Sequence, residues 1–137
     1  MVTYVLDASA ILRYLDGEAG GDRVSDILKE QMRGSCRAIV SAIHWGEVAG
    51  KIVKSYGKQH CYATLSQLSA MGIEIVDASA ERAVNSALIK VQRKIPYADA
   101  FGVELAASAA NNCVLVTSDF DLKPAAHDVK IEFLPKK

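Results

Sequence analysis

The chain has 137 residues, 50% apolar and 23% charged, and its sixteen basic and sixteen acidic residues cancel to a formal net charge of zero. That length buries a core without disulfides or structural metal, and no apolar run reaches the roughly 18–20 residues a membrane helix needs. Zero net charge also argues against a general polyanion binder, whose footprint is a basic excess, unless several acids are gathered around cations and the remaining surface is left basic.

Val2 to Leu6 reads as a buried first strand, without the basic start or long apolar segment of a secretory signal. A helix from about Ala8 to Leu15 follows directly and breaks at the turn Gly17-Glu18-Ala19-Gly20-Gly21. Asp22 suits the N-cap of the next helix, with Val24, Ile27 and Leu28 on one face. Arg37 to Val40 is a second short strand, and Ser41 caps a helix with Ile43, Val48, Ile52 and Val53 as apolar positions, ending at Gly57. A further helix spans about Lys58 to Met71 and stops at Gly72. Ile73 to Val76 is the third strand, and Ser79 opens a helix containing Val84, Ala87, Leu88 and Val91. Pro96 interrupts the pattern, so a new helix starts near Tyr97 and runs to Asn111; Val114 to Val116 and Lys130 to Phe133 are the fourth and fifth strands, the last at an edge.

Strands alternating with helices predict a mainly parallel sheet covered on both faces, an α/β three-layer sandwich. No repeat, low-complexity tract or Pro/Gly/Ser linker divides residues 1–137, so one domain is expected. Cys36, Cys61 and Cys113 are widely spaced and form no CxxC pair, which fits a reducing cytoplasm, with Cys113 as a small core residue.

In open α/β sheets functional groups gather beyond the carboxyl ends of the strands. Asp7 follows the first strand, Asp119 lies three residues past Val116, Asp99 is in the first turn after Pro96, and Glu47 lies within the helix after strand two. Each has an ordinary structural role open to it. Asp7 can cap a helix, Glu47 can pair with Lys51 four residues on, Asp99 can sit favourably at a helix N-terminus, and Asp119 and Asp121 can be Asx-turn residues. Their conjunction at one edge is harder to explain that way. No matching basic set accompanies them, so repulsion must be relieved by protonation or by cations. Oxygen-only ligands without His or Cys suit Mg²⁺ or Mn²⁺.

The segments around these acids, Val5-Leu6-Asp7-Ala8-Ser9-Ala10-Ile11-Leu12, Trp45-Gly46-Glu47-Val48, Tyr97-Ala98-Asp99-Ala100-Phe101 and Leu115-Val116-Thr117-Ser118-Asp119-Phe120-Asp121-Leu122, resemble in order and spacing the four acidic motifs of PIN domains. The compact size is similar to the VapC toxins of prokaryotic toxin–antitoxin pairs. The resemblance implies a metal-dependent ribonuclease with Asp7, Glu47, Asp99 and Asp119 as catalytic, metal-binding acids. Asp121 is implied as a supporting acid, and Thr117, Ser118 and Ser9 as residues orienting the metal or its water. Ser118 stands where the family often has Gly or Asn.

The same resemblance implies three partners: an RNA substrate, an antitoxin whose peptide covers the acids with an Arg, and a second copy of the chain. Arg13, Lys51, Lys54, Lys58, Arg93 and Lys94 are candidate RNA contacts, with a solvated helix face as their alternative. Tyr56, Tyr62, Leu65 and Leu68 are either a dimer interface or core. His44 lies near the Glu47 face and reads as packing or surface; His60 and His127 match no catalytic motif. Two other function classes compete: a non-catalytic PIN-like module binding RNA or protein, and a Mg-dependent phosphoacceptor. The phosphoacceptor fits worse because Asp7-Ala8-Ser9 lacks its acidic pair. A haloacid-type phosphatase would need a second Asp where Ser9 stands.

Overall fold

A computed structural model describes residues 1–109 and 112–136. Strands β1 (Val2–Leu6), β2 (Cys36–Ser41), β3 (Glu74–Val76), β4 (Cys113–Thr117) and β5 (Lys130–Phe133) pair in parallel throughout, in the order β3-β2-β1-β4-β5. The helices are α1 (Ala8–Leu15), α2 (Gly21–Met32), α3 (Ala42–Tyr56), α4 (Lys58–Ala70), α5 (Ala80–Arg93) and α6 (Tyr97–Ser108), and a 3-10 helix (Phe120–His127) joins β4 to β5. The expected end of α6 at Asn111 lies outside the described residues.

Side chains alternate across each strand, so the inner strands β1, β2 and β4 each feed two cores. Leu6, Ala38, Val40 and Val116 face one side, where α2 contributes Val24, Ile27 and Leu28, α3 contributes Val48 and Ile52, and α4 contributes Leu68. Val5, Ile39 and Leu115 face the other, against Ala100, Val103 and Ala106 of α6 and Leu122 of the 3-10 helix. This is the three-layer α/β sandwich that the alternation of elements predicts. Among the described residues no helix is long and apolar enough to cross a membrane.

Asp7, Ser41 and Ser79 cap α1, α3 and α5 through their side chains. Asp22 does not cap α2. The N-cap is Gly20, at φ +87°, and Asp22 lies in the first turn, where its charge still suits the helix N-terminus. Close packing explains the shift: a Cβ on Gly20 would lie 2.8 Å from Leu134 Cβ, and one on Gly21 2.7 Å from the Arg13 carbonyl oxygen.

Helix α5 departs further from its pattern. Val84, Leu88 and Val91 are 61%, 57% and 73% exposed, because α5 packs mainly on α6 and turns these three side chains outward. Its inner side carries Ser86, which is buried, and Arg82, whose guanidinium grips buried Glu104 of α6 at 2.9 Å. Of the four residues read as interface or core, Leu68 is buried, Leu65 packs half-buried against the core, and Tyr56 and Tyr62 are exposed. The three cysteines are free; Cys36 and Cys61 are buried, and Cys113 is half-buried at the start of β4.

Candidate active site

The sheet order reverses between β1 and β4: the chain builds outward from β1 to β2 and β3, then returns to lay β4 and β5 on the other side. Such a switch point opens a crevice at the carboxyl ends of the two central strands. Leu6 is in register with Val116, and the Asp7 amide donates to the Val116 carbonyl at 3.3 Å. Asp7 and the segment 117–119 therefore leave the sheet side by side.

A network of hydroxyls ties these two chain segments together. Ser9 Oγ donates to Asp7 Oδ1 at 2.6 Å and accepts from the Ser118 amide at 2.9 Å. Thr117 Oγ1, fully buried, lies 3.3 Å from Ser9 Oγ and accepts from the Asp119 amide at 3.0 Å. Asp7 Oδ1 also accepts from the Ala10 amide at 2.9 Å, so the helix-capping role of Asp7 is real. Both bonds fall on Oδ1, and among the described residues none falls on Oδ2. Asp119 Oδ1 accepts from the Asp121 amide at 2.9 Å, an Asx turn. Asp121 itself is exposed.

Asp99 enters from the first turn of α6, and Glu47 from α3, whose packing against α6 brings the two helices to the same edge. The Asp99 carboxyl registers the convergence. Burial, then the charge and side-chain hydrogen bond of Asp119, then the charges of Asp7 and Glu47, push its titration from the ordinary 3.8 up to about 7. Among the described residues Asp7, Asp99 and Asp119 form no ion pair with a basic side chain, and Glu47 does not pair with Lys51. Glu47 Oε1 instead lies 3.8 Å from Nε2 of buried His44.

The four acids are electrostatic neighbours, not a closed cage: among the described residues no three His, Cys, Asp or Glu side chains stand close enough to enclose an ion. Like charges held at one edge repel one another, and Glu47, nearly half exposed, has room to swing. The chemistry of the donor set fits a hard divalent cation, with oxygen ligands only and, among the described residues, no basic side chain ion-paired to the three aspartates. A groove of about 710 Å³ between α1, α3 and α4 holds none of these acids; Leu15, Lys51, Ile52, Tyr56 and Thr64 help to line it. Concavity and chemistry thus point to different places, and the uncompensated charge decides for the sheet edge.

The basic residues divide into occupied and free. Arg13 donates to the carbonyls of Ala19 and Pro135, and Arg93 holds Asp128 through two bonds of 2.6 and 2.7 Å. Lys51, Lys54, Lys58 and Lys94 are exposed, Lys94 in a left-handed C-cap at φ +56°. Sequence reading missed Lys123 and Lys136, whose Nζ atoms lie 5.5 and 5.0 Å from the ring centre of Phe120, the residue after Asp119. Phe120 in turn stacks on Phe133 at 5.1 Å. Lys123 is three residues from Phe120 on one short helix, a spacing visible in the sequence, whereas Lys136 and Phe133 reach Phe120 only through the β4–β5 connection. His60 and His127 are exposed.

Residues 4–128 match the family model of the PIN domain. Among curated proteins no sequence matches the chain. Among solved structures the fold is similar to VapBC2 of Rickettsia felis bound to a promoter DNA fragment (TM-score 0.75, 18% identity, covering 98% of this chain and 100% of that one). It is similar also to DNA-bound VapBC of Salmonella typhimurium (0.71, 17%, 97% and 98%) and to VapBC-1 of nontypeable Haemophilus influenzae (0.65, 16%, 96% and 98%). At such identities the likeness is one of fold, and the family rests on the sequence match. Spanning nearly the whole chain, with its acids at the switch point of the sheet, that match makes this protein a member of the PIN-domain family.

Proposed function

We propose that the protein is a divalent-metal-dependent ribonuclease, the toxin of a toxin–antitoxin pair. The observation that carries this reading is the set of four acids at one sheet edge without a counter-cation, felt by Asp99 as a titration near 7. Asp7, Asp99, Asp119 and Glu47 would hold Mg²⁺ or Mn²⁺. When bound, such an ion supplies Lewis acidity to a phosphodiester and lowers the pKa of a water.

The chain's own residues do the rest. Ser9 and Thr117 fix the Asp7 carboxylate and the 117–119 segment relative to each other, and the Asx turn holds Asp119 Oδ1. Lys123 and Lys136, gathered at Phe120, supply positive charge beside an acidic edge that an RNA backbone would otherwise avoid. Such contacts orient the strand and do not read its sequence.

Likeness to VapBC complexes supports an antitoxin as the partner. Exposed apolar residues that could meet a second copy lie at Tyr56 and Tyr62 and, at helical spacing on α5, at Val84, Leu88 and Val91; we take the α5 face, which has three of them. An RNA substrate sets the place of action in the cytoplasm, where three free cysteines stay reduced. Light scattering of wild type against Leu88→Glu tests the dimer: the wild type should have twice the mass of the variant, and equal masses refute this face.

The experiment for the main reading is cleavage of a structured-RNA panel with Mg²⁺ or Mn²⁺, comparing wild type with Asp7→Asn and Asp99→Asn. Metal-dependent cutting lost in both variants is the expected result. Cutting that survives both removes the acidic site from the account.

A further inference from the structure

His44 stands third in α3 and is 1% exposed. Its Nε2 lies 2.9 Å from the carbonyl oxygen of Ala98, the residue before Asp99. A carbonyl only accepts, so Nε2 carries the hydrogen. The other ring nitrogen, Nδ1, is buried with no hydrogen-bond partner among the described residues. The ring rests against Gly102, one turn beyond Ala98 on α6: a Cβ there would come within 3.1 Å of His44 Cε1 and 3.3 Å of Leu115 Cδ1.

Packing alone does not explain these facts. A leucine would fill a similar space without leaving a buried nitrogen unsatisfied, which is unfavourable. A glycine inside a helix is also unfavourable relative to alanine, and here a Cβ would press on the ring at 3.1 Å. Imidazole and glycine form a matched pair whose product is one hydrogen bond between the helix bearing Glu47 and the first turn bearing Asp99.

We infer that His44 is a positioning residue: through Ala98 it sets the separation of Glu47 and Asp99, and with it the affinity of the acidic edge for a divalent cation. This rests on the proposed reading of that edge as a metal site. The ring bonds the backbone, so it acts on Asp99 through the course of the α6 N-terminus. Glu47 Oε1, at 3.8 Å, stays free to serve an ion. Outer partners of this kind typically govern metal affinity by about 10- to 100-fold.

The test is calorimetric titration of Mn²⁺ into wild type, His44→Leu and His44→Gln, with metal-free melting and RNA cleavage measured alongside. His44→Leu should bind Mn²⁺ at least about tenfold more weakly, with kcat reduced and KM for RNA unchanged. His44→Gln, whose amide N–H can reach Ala98, should recover most of the affinity. Unchanged affinity in His44→Leu, or equal loss in both variants, overturns the inference. If His44→Leu does not fold, Gly102→Ala takes its place. Alanine favours the helix yet pushes on the ring, so weaker Mn²⁺ binding at undiminished melting temperature is expected and unchanged binding refutes the role. A wild type that binds Mn²⁺ but cuts no RNA defeats the nuclease reading alone, since the affinities still decide on His44. A wild type that cuts RNA while His44→Leu keeps its affinity defeats the inference alone. Absence of Mn²⁺ binding in the wild type overturns both.

Discussion

The acids at the carboxyl edge of the sheet and four acids away from it are treated in opposite ways. Away from the edge, four arginines each take up one carboxylate: Arg23 with Glu132, Arg37 with Glu74, Arg82 with Glu104, and Arg93 with Asp128. The last pair holds the Asp128 carboxyl below its ordinary range through the Arg93 hydrogen bonds. At the edge Asp99 moves the other way, up to about 7, because burial and three neighbouring acids act on it with no arginine to answer. Paired acids fasten elements together: α2 to β5, β2 to β3, α5 to α6, and α5 to the end of the 3-10 helix. Unpaired acids destabilise the fold locally, a pattern expected where a site serves chemistry.

Substitutions at the edge should break this contrast most strongly. Asp7→Asn and Asp99→Asn should each reduce RNA cleavage by about a thousandfold or more, measured with Mn²⁺ in excess. In the pairing region the effect falls on stability. Arg82→Ala leaves buried Glu104 without its partner and should destabilise by about 3 kcal/mol in a urea melt, with cleavage retained below the melting temperature.

The contrast also predicts a pH slope. The Asp99 carboxyl titrates near its ordinary 3.8 in the unfolded chain and about 7 in the folded one, so between these values the folded state holds more protons. The contribution is fully present below pH 3.8 and is lost as pH rises through 7. The metal-free melting temperature should therefore carry a downward component across that window, absent from Asp99→Asn. Smallest of all should be Arg37→Ala, whose pair with Glu74 is half exposed on both sides. Double-mutant melts should return under about 1 kcal/mol for that pair.

Much of this is legible in the amino-acid sequence alone. The strands and helices follow from β-branched runs alternating with alanine-rich stretches, and the acids could be assigned to one edge because Asp7 and Asp119 each follow a central strand. What stayed hidden depends on distant packing. Asp22 has the chemistry of an N-cap, but the closeness of Leu134 and the Arg13 carbonyl gives that position to Gly20. Val84, Leu88 and Val91 have the spacing of a core face, yet α5 lies outside α6, so the same period marks an exposed stripe. Arg13 looked free for RNA until two backbone carbonyls were found to hold it. His44 could not be read because its partner, Ala98, is 54 residues away and offers only its backbone.

The central claim is that the unpaired acids are kept for a divalent cation, and calorimetry of Mn²⁺ binding at pH 7 in two buffers of different ionisation heat tests it most directly. With Asp99 titrating at about 7, binding should release about half a proton per site and should be lost in Asp99→Asn. Absence of binding by the wild type, or binding unchanged in Asp99→Asn, would contradict the account.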